Sequence, residues 1–122
     1  MLTARQQSGR RAEELAAEFL CTRGFEILQR NYLRRLGELD LVARGAGVLV
    51  IAEVRTRASS AYGGAAASVD RRKQQRITRA ARALLQQRAE LAQLPVRFDV
   101  IVVGDPHGAA PRIEWIQHAF EA

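Results

Sequence analysis

Cysteine is nearly absent. Cys21 stands alone among 122 residues, which excludes an internal disulfide and any zinc site built on cysteines. No apolar run approaches the roughly 20 residues that span a bilayer. The first residues, Met-Leu-Thr-Ala-Arg-Gln-Gln-Ser, lack the apolar core of a signal peptide, so a cytoplasmic location is the expectation. Lysine is scarce for so basic a chain: of nineteen basic residues only Lys73 is a lysine. Acids are fewer, thirteen for a net charge of +6, and none falls between Arg71 and Arg88. Such an excess points to a polyanionic partner, usually nucleic acid; an arginine- and alanine-rich composition of the host is the bland alternative. The two histidines, His107 in a turn and His118 near the end, read as surface residues.

What is present fits one domain spanning residues 1–122, since 48% hydrophobic content excludes disorder and the length is too short for two domains. The centre of the pattern is Glu38 to Arg55. Two β-favouring runs flank Gly45-Ala46-Gly47, a hairpin signal, and within them lie two acids that oily strands normally avoid, Asp40 and Glu53. A four-residue loop, with Ala43 opposite Val48, pairs Asp40 with Ile51 and Glu38 with Glu53. Asp40 is then diagonal to Glu53 on one side of the sheet. A three-residue loop without a bulge places them on opposite sides, because a one-residue slip inverts every side chain. Two neighbouring buried carboxylates cost several kcal/mol unless something positive joins them. A divalent metal is one solution where oxygen ligands converge; pairing of Glu53 with Arg55 or another arginine is the other.

Around the hairpin the order is legible. Ala12, Leu15, Ala16, Phe19 and Leu20 make the buried stripe of a helix over 9–22, with Ser8 as N-cap and Gly24 as stop. Glu13 and Glu14 lie in its first turns, where acids complement the helix dipole; Glu13 borders the stripe and can instead reach inward. A strand over 25–33 follows, then the hairpin, then a small-residue stretch from Thr56 to Ser68 that reads as a mobile loop placed to cover a substrate. A second helix runs from about Asp70 to Gln93. Ile77, Ala80, Ala81, Leu84 and Leu85 are its stripe, and Lys73 lies one turn before Ile77, on the inward edge. Long lysine stems also lie along apolar surface with the ammonium in water, so its position alone leaves both readings open. Arg72, Arg76 and Arg79 lie on a neighbouring face, Arg71 and Arg82 add to the outer surface, and this one-signed face suits phosphates, contributing affinity and no base information. A central strand over 99–103, parallel to the second hairpin strand by a crossover, and an edge strand over 112–116 complete the order α-β-β-β-α-β-β: an α/β fold with a mixed sheet flanked by helices.

These residues carry a resemblance. Asp40 followed by Glu53-Val54-Arg55 resembles the PD-(D/E)xK constellation of the restriction-endonuclease-like fold, whose members include restriction enzymes and Holliday junction resolvases. The match is closer to the small bacterial YraN-type proteins and covers nearly the whole chain: Ser8-Gly9 with Ala12-Glu13, Arg30-Asn31, Gly37 to Leu41, Glu53 to Arg57, Lys73, and Arg97 to Val100. The resemblance implies a metal-dependent endonuclease cutting DNA, with Asp40, Glu53 and the Val54 carbonyl holding Mg²⁺ or Mn²⁺ and Glu13 completing or steadying the shell. Arg57, at the end of the Glu53 block, joins Arg71, Arg72, Lys73, Arg76 and Arg79 as the expected nucleic-acid surface, and the resemblance implies a homodimer, since two strands must be cut. One departure stands out. The pattern's usual lysine is Arg55, which stays protonated and cannot deprotonate water, although it can clamp a phosphate. Lys73 is the amine placed to substitute. A binding module that keeps the fold and cuts nothing, or an interaction subunit using its basic helix, are the competing readings.

Overall fold

The computed structural model describes residues 1–34, 37–57 and 69–121; the stretch read as a substrate-covering loop falls, from residue 58 to 68, outside the described residues. The elements are α1 (Ala4–Thr22), β1 (Glu26–Arg34), β2 (Gly37–Gly45), β3 (Val48–Arg57), α2 (Arg71–Gln87), a 3-10 turn (Ala89–Gln93), β4 (Val96–Gly104) and β5 (Arg112–Phe120). The five strands form one sheet in the order β1-β2-β3-β4-β5. Its other three neighbouring pairs are antiparallel and β3–β4 is parallel, joined through α2, as the α/β reading requires.

Each face of the sheet has its own core. On one, Ala12, Ala16, Ala17 and Leu20 of α1 cover Leu41, Val50, Ala52, Ile101 and Val103. On the other, Ile77, Ala80, Ala81 and Leu84 of α2 cover Leu39, Val42, Leu49, Ile51 and Phe98. Small side chains on α1 let that helix lie close to the sheet. Strand β4 is buried from Phe98 to Gly104, as a strand covered on both sides must be.

Several boundaries differ from expectation for local reasons. Helix α1 begins five residues early because Thr3, not Ser8, is the N-cap. The Thr3 hydroxyl accepts from the Gln6 backbone N–H at 3.1 Å, and the Gln6 side chain accepts from the Thr3 N–H at 2.9 Å, a reciprocal capping box. Helix α2 stops at Gln87, and a 3-10 turn then carries Leu91 into the core. β5 runs four residues further, past a bulge opposite Asp99 that interrupts its alternation. The hairpin loop is Ala46-Gly47, two residues and not four, since Gly45 pairs with Val48. Both loop residues have positive φ (52° and 76°), the geometry that suits the twist of a tight hairpin.

Gly45 closes this hairpin against Phe25: a Cβ there meets the Phe25 ring at 2.6 Å, whereas one at Gly9, inside α1, meets nothing within 4 Å. Gly45→Ala should therefore cost about 1–3 kcal/mol by overpacking, and Gly9→Ala should stabilise by about 0.5–1 kcal/mol through helix propensity. Chemical denaturation of both variants checks the pair, and a neutral Gly45→Ala contradicts the packing.

Candidate active site

The two-residue hairpin changes the pairing of the acids and keeps their side. The observed register joins Leu41 to Ala52 and Val42 to Ile51, and Asp40 and Glu53 are the next residues on their strands, just past the last pair. The expected register had them diagonal. The two differ by two residues, so the acids share a face in both. They also interact. The Asp40 carboxyl lies within hydrogen-bonding reach of Glu53, and its Oδ2 accepts the Val54 N–H at 2.9 Å.

Strand β2 does not alternate strictly here. Leu39 joins the core under α2 while Leu41 joins the core under α1, and residues two apart share a face in a regular strand. The break falls on Asp40. In the β1–β2 register the residue facing it is Asn31, which has a φ of 50°. Asn31 also hydrogen-bonds the Glu13 carboxyl of α1. Asp40 thus stands where groups from both helical layers reach it: Glu13 from α1 and Lys73 from α2.

Lys73 comes from the first turn of α2, which the Asp70 cap fixes by accepting the Lys73 backbone N–H at 2.8 Å. Its Nζ lies 3.2 Å from Glu53 Oε1. Glu53 is 2% exposed, and its other oxygen, Oε2, is buried with no hydrogen-bond partner. Burial first, then the charge of Asp40, pushes the Glu53 carboxyl from 4.5 up to about 7. Asp40 is raised chiefly by burial, against the pull of the Val54 N–H and Lys73. Glu13 is raised by burial and then by Asp40. Arg55 is half-buried, with its Nε lacking a hydrogen-bond partner. Arg57 lies 3.6 Å from Glu114 of β5. Arg71, Arg72, Arg76 and Arg79 are exposed on α2.

The donor set discriminates between ions. Among the described residues, no three of His, Cys, Asp and Glu gather as a ligand set, which disfavours a closed zinc-type site. Mg²⁺ uses one or two carboxylates and retains waters. Two adjacent carboxyls, one with an unpartnered buried oxygen, fit that habit. Glu13 feels the charge of Asp40 and is not gathered with the pair into a three-ligand set.

Asn31 carries little chemical signal in the sequence. Its signal was its place in the Arg30-Asn31 block together with the tolerance of asparagine for positive φ. Asp99, in another such block, is structural. At 0% exposure it accepts two bonds from Arg97, one from Trp115 Nε1 and one from the His118 N–H, all between 2.8 and 2.9 Å.

Residues 12–103 match the profile of the uncharacterised protein family UPF0102. A UPF0102 protein of Pseudomonas savastanoi pv. phaseolicola is 46% identical over 121 residues, 98% of each chain. One from Pseudomonas aeruginosa strain LESB58 is 46% identical over 125 residues, covering 99% of this chain and all of the relative. This chain belongs to the UPF0102 family. A third relative, from Saccharophagus degradans, is 46% identical over 93% of this UPF0102 chain and 92% of its own. No helix among the described residues is long and apolar enough to cross a membrane.

The raised Glu53 pKa has a sign in stability. Folded, Glu53 keeps its proton up to about pH 7, whereas unfolded it releases it near 4.5. Between those values the unfolded state binds fewer protons, and stability falls as pH rises. In EDTA, the stability of Glu53→Gln relative to wild type should rise between pH 5 and 8. Thermal denaturation across that range tests it, and a pH-independent difference contradicts the protonation account.

Proposed function

We propose that this UPF0102 protein is a Mg²⁺-dependent endonuclease that hydrolyses DNA phosphodiester bonds, with branched DNA as the favoured substrate. The observation that carries this reading is the placement side by side of two buried carboxyls, Asp40 and Glu53, with no second cation among the described residues at Glu53 Oε2. Leaving such an oxygen without a partner costs free energy that a bound cation offsets. Asp40, Glu53 and the Val54 carbonyl would hold the ion, which when bound would acidify a water and offset charge on the phosphate oxygens.

The chain's own residues do the rest. Arg55, half-buried with an unsatisfied Nε, would grip a phosphate oxygen as charge develops there. Lys73 supplies the amine that Arg55 cannot, steering the Glu53 carboxylate and meeting the scissile phosphate. Glu13, tied to Asn31, would steady the shell around Asp40. Arg57, Arg71, Arg72, Arg76 and Arg79 hold the backbone on either side without reading sequence. The lone, exposed Cys21 suits a reducing cytoplasm, and cutting both strands calls for two copies of the chain.

One observation favours a second reading. The Lys73 ammonium, 3.2 Å from Glu53 Oε1, already gives the acid pair a positive neighbour, as in a module that binds DNA without cutting it. Incubation of purified protein with linear, single-stranded and four-way-junction DNA in Mg²⁺, Mn²⁺ or EDTA separates the two. Cleavage should need metal and vanish in Asp40→Asn and Glu53→Gln. Binding without cleavage in every metal favours the second reading. Lys73→Ala should lower cleavage by about a hundredfold or more while binding in EDTA changes little; equal loss of both removes Lys73 from the chemistry.

A further inference from the structure

Beyond the acid pair, the outer edge of α2 borders two adjoining depressions. The first is a cavity of about 350 Å³ between α2 and the ends of β4 and β5, walled by Ala81, Leu85, Val96, Phe98 and Phe120. That size falls at the small end of ligand pockets. Phe98 and Phe120 stack with centroids 4.9 Å apart and planes 20° from parallel. The second is a groove lined by Arg71, Arg79 and Arg82 with Gln74 and Gln75. Thr78, Arg82 and Glu121 line both, so the apolar cavity opens onto the guanidinium-lined groove.

The walls are fixed rather than incidental. His118 borders the cavity at a φ of 54°, a costly backbone for a non-glycine residue, and such strain concentrates at binding sites. Asp99 holds it there by accepting the His118 N–H, and the same carboxylate clamps Arg97 on another wall with two bonds at 2.9 Å. Glu121, the one acid among the described rim residues, is paired with His118 Nε2 at 2.9 Å. The groove begins in the first turn of α2, which also carries Lys73. From Lys73 to Arg82 is nine residues, about 14 Å along the helix axis, a reach that an extended strand covers in a few nucleotides.

We propose that the Phe98–Phe120 cavity takes one unpaired base of a nucleic-acid strand whose phosphates run along the arginine groove toward the acid pair. An apolar, aromatic-walled slot beside a row of arginines is the pairing of features that binds single strands, since every base has a face to stack and every phosphate a charge to meet. Glu121 on the rim accepts from an exocyclic amine at the base edge. A duplex keeps its bases stacked inside and cannot use the cavity. It therefore distinguishes frayed, bulged or junction-proximal strands from plain duplex, which a phosphate-reading groove alone does not.

The proposal rests on the nucleic-acid reading of this protein, and its test keeps the two apart. Fluorescence anisotropy in EDTA measures affinity of the wild-type chain, Phe120→Ala and Leu85→Trp for a labelled single-stranded DNA and for the duplex of the same sequence. Removing the stacking wall, or filling the cavity from the opposite wall, should weaken single-strand binding by at least about fivefold and leave duplex binding unchanged. Because the two variants attack from opposite sides, loss of fold in one leaves the other to decide. Wild-type-like single-strand affinity in a folded variant, or equal weakening on both DNAs, overturns the cavity and leaves nucleic-acid binding standing. Absence of wild-type binding to either DNA overturns both.

Discussion

A carboxylate at 2% exposure with one oxygen unpartnered is the constraint around which the rest of this molecule is arranged. A buried anion in an oily sheet is tolerated only when positive charge, a proton or a cation joins it. Here all three have a place. Lys73 reaches Glu53 Oε1 from α2, the pKa rise to about 7 lets a proton stay, and the proposed ion would join the pair at Oε2, which has no hydrogen-bond partner.

Asp99 shows what the same sheet does when an acid is purely structural. That carboxylate is more deeply buried than Glu53, yet four donors from Arg97, Trp115 and His118 surround it. Two buried acids on neighbouring strands are therefore treated in opposite ways. One is fully satisfied and ties β5 to β4; the other keeps an open oxygen beside a second carboxyl and a basic helix. The twist of β2 at Asp40, which sends Leu39 to one core and Leu41 to the other, brings the site between the two helical layers.

Much of this was legible in the sequence, and the gaps have physical causes. Long periodic stretches disclosed both helices, the hairpin and the parallel strand pair, because burial of one face imposes a period that survives substitution. The shared side of Asp40 and Glu53 was readable for the same reason: parity tolerates an error of two residues in the loop, and the loop was in error by that much. The inward Lys73 followed from its spacing to Ile77. The Thr3 cap leaves no apolar signal because Ser8 directly precedes the buried stripe, whereas the first turn of α1 is exposed on all sides. The extra length of β5 was hidden by the bulge at His118, which breaks alternation and depends on an acid nineteen residues away. Asn31 escaped because its role comes from a contact with Glu13, and no local pattern records that.

The most direct test of the central claim is the titration of Mn²⁺, followed by its electron paramagnetic resonance, into wild-type protein, Asp40→Asn and Glu53→Gln at several pH values. The account requires one ion per chain in the wild type, bound more tightly as pH rises and the carboxyls lose their protons, and its loss in both variants. Absence of saturable binding in the wild type, or equal binding in all three proteins, contradicts it.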